Sequence, residues 1–275
     1  MGLRFCSFAS GSTGNCYLLK TENTSLLVDV GIAGKHIIGG LDSCGIKPEQ
    51  LDGILITHEH TDHIKSLRMM AKKSVNGRIY TSEGTAYSVN EKMPMIADRI
   101  CVTDNSFEVG DIEIESFSLS HDAEDPVGFS VQSGGKRVTI ITDTGVATKQ
   151  MLSVAAKSDL LVLEANHEVN ILHCSSYPYE LKRRILSDYG HLSNDAAAEF
   201  IYEVEKLRKS GGDENPNGTH RKQRILLAHL SKENNSPMQA MLTIKNRLFE
   251  EDLIAGEDYL MNVLSADAST RLLEI

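Results

Sequence analysis

Between Leu51 and His63 the chain reads LDGILITHEHTDH. An apolar run, Ile54 to Ile56, ends in Thr57, and three imidazoles and the carboxylate of Asp62 then fall within six residues. On an extended chain alternate residues share a face, so His58 and His60 point the same way. Asp62 and His63 stand where the chain turns into a periodic segment from Ile64 to Lys73. At the end of a strand this set makes a coordination site for one metal ion and leaves a ligand pair for a second. The bland alternative is a solvated polar loop, against which stands the scarcity of histidine at such spacing.

A dinuclear site needs more than four side chains, and further candidates stand where apolar strands should end. His121 follows Ile112–Leu119, Asp143 follows Val138–Ile141, and His229 follows Ile225–Ala228. Taken singly each reads more readily as a cap or loop residue. Beside the His58 cluster they read as ligands, because strands that aim their ends at a common edge collect site residues there.

The elements that must position these residues follow from periodicity and turn chemistry. Strands are expected over Leu3–Phe8, Cys16–Lys20 and Ser25–Asp29, and a helix over Gly34–Cys44. The Gly/Ser turn SGSTGN, from Ser10 to Asn15, offers amides and hydroxyls that can cradle an anion, making Ser10, Ser12 and Asn15 candidate substrate contacts. It lacks the lysine and helix context of a phosphate-binding loop and reads equally as a plain tight turn. The segment Ile64–Lys73 places Ile64, Leu67 and Ala71 on one face and Lys65, Arg68 and Lys72 on another. That basic stripe is a solvated surface or a phosphate-tracking edge.

Short strands are expected at Arg78–Thr81, Arg99–Thr103, Asp111–Ser118 and Gly128–Ser133, with a helix near Gly84–Lys92 and a strand at Lys136–Thr142. The second half repeats the first in kind. A helix (Ala147–Lys157), a strand (Asp159–Glu164) and helices over Tyr179–Leu186 and Asn194–Arg208 precede a polar loop from Lys209 to Gln223. A strand (Arg224–Ala228) and a helix (Ser236–Phe249) follow. The pattern predicts two mixed sheets packed face to face with helices outside. Neither a repeat nor a linker rich in Pro, Gly or Ser divides the chain, so a single domain over residues 1–275 is expected.

Composition bounds the function. Among 275 residues 41% are apolar, tryptophan is absent, and no apolar run approaches the roughly 20 residues of a membrane span. The N-terminus lacks an uninterrupted apolar signal core, which points to the cytoplasm. The five cysteines, odd in number and irregular in position, form neither a disulfide framework nor a zinc-finger spacing. A net charge of −10 argues against broad attraction to nucleic acid. It leaves room for a local basic groove beside bound cations, which supply positive charge of their own.

THEHTDH, the later His121, TDTG and AHLS resemble the ordered motifs of the metallo-β-lactamase superfamily. FASGSTGN at the start, KRRILSDYGHLSNDAA in the middle and LLAHLSKENNSP near the end resemble, more narrowly, its WalJ/YycJ family. The resemblance covers nearly the whole chain. It implies an α+β fold, the αββα four-layer sandwich, and a cytoplasmic nuclease acting as a 5′-to-3′ exonuclease on double-stranded DNA ends. Carried over residue by residue, His58, His60 and His121 would hold one metal, Asp62, His63 and His229 the other, with Asp143 bridging. The donors are nitrogen and oxygen with no thiolate, which suits two zinc or manganese ions and permits iron.

On this resemblance a hydroxide held between the two metals attacks phosphorus, and Asp62, with a spare oxygen, orients the water. His191, in GHLSN, would protonate the leaving 3′-oxygen, paired with Glu164 as in the superfamily's tRNA-processing nucleases. A cap or packing role is the alternative for His191, and a surface strand end for Glu164. Asn166 and His167 are candidates for substrate contact or support of the metals. Lys182, Arg183 and Arg184, the most basic run, are candidate phosphate contacts, with a solvated helix face as the alternative.

Spacing removes some relatives. Twenty-one residues separate His121 from Asp143, too few for the substrate-gripping arm of the tRNA-processing enzymes. The eighty-five between Asp143 and His229 are taken up by helices and a strand, leaving no room for a full capping domain. An open cleft suits a long polymer end. It also suits the competing expectation, a small-molecule hydrolase of the same fold acting on a thioester, lactone or phosphodiester. A non-catalytic regulator is disfavoured, because every ligand position is filled. Oligomeric state is not legible from these residues.

Overall fold

The computed structural model describes residues 2–74, 77–211 and 221–275. They form two compact units, one of Met1–Ser118, Ala123–Lys136 and Ser265–Ile275, the other of Leu119–Asp122 and Arg137–Leu264.

The first unit runs β1 (Arg4–Ala9), β2 (Cys16–Lys20), β3 (Ser25–Val28), α1 (Gly34–Ser43), β4 (Gly53–Leu55), α2 (Thr61–Ile64), α3 (Leu67–Lys73), β5 (Arg78–Thr81), α4 (Glu83–Lys92) and β6 (Ile100–Val102). The strands β7 (Ser106–Val109), β8 (Ile112–Ser118) and β9 (Val127–Ser133) follow. Short turns join β1, β2 and β3, so these pair antiparallel. Helices intervene from β3 onward, and β3, β4, β5 and β6 pair parallel, as crossover connections require. Both β3 and β4 are buried at every position, which is why they read as continuous apolar runs. Ile37 and Leu41 of α1 and Leu67 and Met70 of α3 share one core with Leu27, Ile54 and Ile79 of the sheet.

The second unit holds most of β10 (Lys136–Ile141), then α5 (Lys149–Ala155), β11 (Leu160–Glu164), α6 (Val169–Cys174), α7 (Tyr179–Ile185), α8 (Asn194–Ser210), β12 (Gln223–Ala228), α9 (Pro237–Glu250) and β13 (Tyr259–Val263). Strands β10 to β13 form a parallel ladder with helical crossovers. The final strand, β14 (Leu273–Glu274), returns to the first unit and pairs with β1. Two mixed seven-stranded sheets result, ordered β14-β1-β2-β3-β4-β5-β6 and β13-β12-β11-β10-β9-β8-β7.

The expected strands and helices appear with ends within one or two residues of their predicted bounds, with one exception. The segment Ile64–Lys73 is not one helix, because the chain breaks at Lys65 and Ser66 between α2 and α3. Ser66 donates its amide to the Val30 carbonyl at 2.9 Å and its hydroxyl to the Ile32 carbonyl at 2.6 Å. Those bonds to the chain leaving β3 replace the helical ladder. Four further short elements, β7, α6, β13 and β14, lie where periodicity predicts none. Of the polar loop Lys209–Gln223, residues 212–220 lie outside the described residues. No helix among the described residues is long and apolar enough to cross a membrane.

Candidate metal centre

In the first unit the strand ends bring His58, His60, Asp62 and His63 beside a residue the motif does not contain, Asp29. Parallel pairing of β3 with β4 sets Val28 opposite Leu55, so the next residues of each strand emerge together. Asp29 is wholly buried, and its Oδ2 accepts from His63 Nδ1 at 2.7 Å. Its Oδ1 accepts from the Thr57 amide at 3.0 Å, and the Thr57 hydroxyl donates to Oδ2 at 2.9 Å. Thr57 Oγ1 also lies 3.1 Å from His58 Nδ1.

A donor held at Nδ1 turns Nε2 outward as a lone pair, the arrangement that metal-binding histidines adopt. The His58 ring stands 4.7 Å from that of His60 and 4.1 Å from that of His63. Asp62 Oδ2 is 3.6 Å from His63 Nε2. Glu59, between the two histidines of the strand end, points the other way and accepts from the Glu124 amide at 3.0 Å.

In the second unit the parallel strands β10, β11 and β12 deliver Asp143, Glu164 and His229. One ligand atom each from Asp143, Glu164, His191 and His229 lie within 4.8 Å of one another. Glu164 is fully buried. Its Oε1 accepts from His191 Nδ1 at 2.7 Å and His229 Nδ1 at 2.9 Å, and its Oε2 from the amides of Thr144 at 3.0 Å and Leu192 at 3.3 Å. Burial pushes its pKa up, but the imidazoles of His191 and His229 outweigh this and hold it at about 2. His121 donates Nδ1 to the Gly190 carbonyl at 3.1 Å, leaving its Nε2 3.8 Å from Asp143 Oδ1. Burial lowers the pKa of His121, which favours the neutral, ligating imidazole.

Asp29, Asp143 and His229 all take the left-handed backbone conformation, at φ 57°, 64° and 54°. That region is uncommon for residues other than glycine and costs on the order of 1–3 kcal/mol each. Its recurrence at three strand ends marks backbone held for what the side chains do. The donors fit a divalent metal: imidazoles held at Nδ1, with Nε2 turned outward, stand beside buried carboxylates that would be costly without a cation.

The Beta-lactamase superfamily domain model matches residues 41–210, 170 of the 275. The chain is 39% identical over 280 aligned residues to exodeoxyribonuclease WalJ of Streptococcus pneumoniae, covering 100% of this chain and 99% of that one. It is 35% identical to exodeoxyribonuclease YycJ of Bacillus anthracis over 94% of each chain. The chain belongs to the WalJ/YycJ family of the β-lactamase superfamily. Among solved structures, the metallo-β-lactamase fold protein YhfI of Bacillus subtilis matches with TM-score 0.70 at 15% identity over 100% of both chains. Yeast PDE1 matches with TM-score 0.72 at 12% identity over 98% of this chain and 99% of that one. At such identities the likeness is one of fold.

In this WalJ/YycJ chain the other expected site residues divide by location. Asn15 Nδ2 lies 3.3 Å from His63 Nε2, and the Asn15 amide donates to the Asp62 carbonyl at 2.9 Å, so the SGSTGN turn rests against the ligand segment. Ser10 is buried, its hydroxyl 2.7 Å from that of Tyr17, whereas Ser12 is exposed. Asn166 donates Nδ2 to the His229 carbonyl at 3.0 Å. His167 is buried, its carbonyl accepts from the Asn194 amide at 2.9 Å, and burial lowers its pKa to about 4.

The basic run of this WalJ/YycJ chain is partly committed to its own fold. Lys182 Nζ donates to the carbonyls of His173 at 2.8 Å and Ser175 at 2.7 Å. Arg183 faces solvent, 3.7 Å from Glu180. Arg184 is forked onto Asp122, with Nη2 2.9 Å from Oδ1, and Asp122 Oδ1 in turn lies 3.4 Å from His121 Nε2. The sequence reading gave no role to Asp29, Thr57 or Asp122. The one local signal for Asp29 is an acid closing the apolar run LLVDVG, the same grammar that singled out Asp143.

Proposed function

We propose that this chain is a metal-dependent exodeoxyribonuclease of the cytoplasm that degrades double-stranded DNA from its ends, 5′ to 3′, using two divalent metal ions, manganese or zinc. The two compact units are taken to work as one domain over residues 1–275, since the superfamily match at 41–210 runs through both. The names of the WalJ and YycJ relatives support the substrate. The observation that carries the reading is the His191–Glu164 pair, a half-buried imidazole on a fully buried carboxylate, set against Asp143 and His229, a proton donor beside the proposed ligand carboxylate and imidazole.

His58, His60 and His121 are proposed for one metal, Asp62, His63 and His229 for the other, and Asp143 for both. Bound there, two divalent cations lower the pKa of water from about 15.7 to near 7 and offset charge on the phosphoryl oxygens. Asp62, half-buried with an oxygen to spare, orients the attacking water. His191 donates Nδ1 to Glu164, which fixes its ring and leaves Nε2 to carry the proton to the leaving 3′-oxygen. Glu164, kept ionised, steadies the imidazolium before transfer.

Purified protein supplied with manganese or zinc should release label from one end only of an end-labelled duplex, and Asp62→Ala should abolish release. His191→Ala should slow cleavage by about 10²–10⁴ with metal content unchanged. Turnover of thioesters or small diesters with duplex DNA left intact would overturn the reading, and metal loss in His191→Ala would move that residue into the coordination sphere.

A further inference from the structure

Beside the ligand segment of the first unit lies a cavity of about 510 Å³ to which no role has been given. Its walls are the end of β1, the SGSTGN turn at Thr13, the start and middle of α1, Lys65, and residues 266–269 returning toward β14. The floor is apolar, with Phe8, Ile32 and Ala33, while Lys35, His36 and Lys65 stand on the rim. All three rim residues are exposed, and among the described residues none of their side chains forms a hydrogen bond or ion pair. Among the described residues Asp267 is the one carboxylate in the lining.

On α1, Gly40 packs closely against the Phe8 ring and Gly39 borders the open space. A Cβ on Gly40 would come within 2.6 Å of the Phe8 ring, whereas one on Gly39 would meet nothing within 4 Å. Two links tie the cavity to the ligands. Lys65 follows His63 by two residues, its amide bonded to the Thr61 carbonyl at 2.9 Å, and Thr13 precedes Asn15, which touches His63. In a chain of net charge −10, three basic side chains stand unpaired around this apolar floor.

We propose that this cavity is a nucleotide subsite, in which Lys35, His36 and Lys65 hold backbone phosphate and Phe8 and Ile32 back the sugar and base of a residue next to the one being cut. The inference rests on the nuclease reading and adds where the strand is gripped. The size suits the ligand, since pockets for small ligands span about 300–1,000 Å³. The pairing of cation rim with apolar floor suits a nucleotide better than either inorganic phosphate or an apolar acid. The basic residues that a reader of the sequence would choose, Lys182 and Arg184, are engaged with carbonyls and with Asp122, while these are not.

The test compares the wild type, Lys35→Ala/Lys65→Ala, Lys35→Arg/Lys65→Arg and Gly39→Leu on end-labelled duplex DNA over a series of salt concentrations. Alanine at both lysines should raise KM at least tenfold and lower the slope of log(kcat/KM) against log[salt] by about 2, since each phosphate contact contributes about 0.9. Arginine should restore both. Gly39→Leu, which fills the cavity without changing charge, should raise KM comparably. If the wild type digests DNA while the lysine variants keep its KM and salt slope, the subsite is overturned and the nuclease reading stands. A wild type that leaves DNA intact would remove both. Loss in Gly39→Leu alone would overturn the phosphate assignment.

Discussion

Asp29 illustrates what one side chain does here beyond the ligands themselves. It holds His63 Nδ1 and both donors of Thr57, from a left-handed backbone that asparagine tolerates and alanine does not. Asp29→Asn should therefore keep the fold and lower metal affinity about 10–100-fold, the usual effect of losing a residue that orients a ligand. Asp29→Ala should do the same and also destabilise, because the buried Thr57 amide loses its partner at about 1–3 kcal/mol. Metal titration and thermal melting separate the two, and wild-type affinity in Asp29→Asn would deny the carboxylate its role. The histidines announced themselves by crowding into one short run. Asp29 did not, because only the pairing of β3 with β4 brings it to His63, 34 residues away. Chemistry concentrated in sequence is legible there; chemistry assembled by a ladder has to wait for the ladder.

At the level of elements, the site depends on chain segments that approach more closely than ordinary side chains allow. A Cβ built on Gly31, just past β3, would sit 1.5 Å from the Asp62 carbonyl oxygen and 2.7 Å from the His63 nitrogen. Gly31→Ala must therefore push α2, and with it two of the proposed ligands, Asp62 and His63, out of place. We expect it to cost about 3 kcal/mol or more in urea unfolding, at the upper end of overpacking penalties, and to strip metal. Gly39→Ala, whose Cβ would meet nothing within 4 Å at the cavity edge, should instead be neutral or stabilising by up to about 1 kcal/mol. Equal stability of the two variants would show that the close approach is not needed. The buried parallel strands were readable from their apolar runs, and the expected helix over Asn194–Arg208 forms behind a Ser193 cap, whose hydroxyl accepts from the Ala196 amide. The break at Ser66 was not, since Ile64, Leu67 and Ala71 keep helical spacing straight through it, and bonds to Val30 and Ile32 decide the matter. The elements left unnamed, β7, α6, β13 and β14, are between two and six residues long, too short for a period to be counted.

Across the whole molecule, the order of motifs sufficed to name the family, because the motifs recur in chain order along nearly the whole sequence. The two compact units are discontinuous in sequence, with boundaries at 118–123, 136–137 and 264–265, and the last eleven residues rejoin the first unit through β14. Discontinuous units leave no linker for composition to betray. Charge gives the remaining test. The chain carries −10 and buries Asp29, Asp143 and Glu164, so two divalent cations would bring the total to −10 + 4 = −6 and compensate carboxylates that water cannot reach. Metal that binds only the folded chain stabilises it by about 2.7 kcal/mol per site at a hundred times Kd. In a chain of this size each kcal/mol moves the melting temperature by about 2–4 °C. Stripping the protein with a chelator should therefore lower Tm by about 5–10 °C for even one such site, and restoring manganese or zinc should recover it. Calorimetry with and without chelator reads this without any substrate. An unchanged melting temperature at stoichiometric metal removal would mean that the strand-end histidines and acids hold no cation in the folded state, and the hydrolytic chemistry would lose its footing.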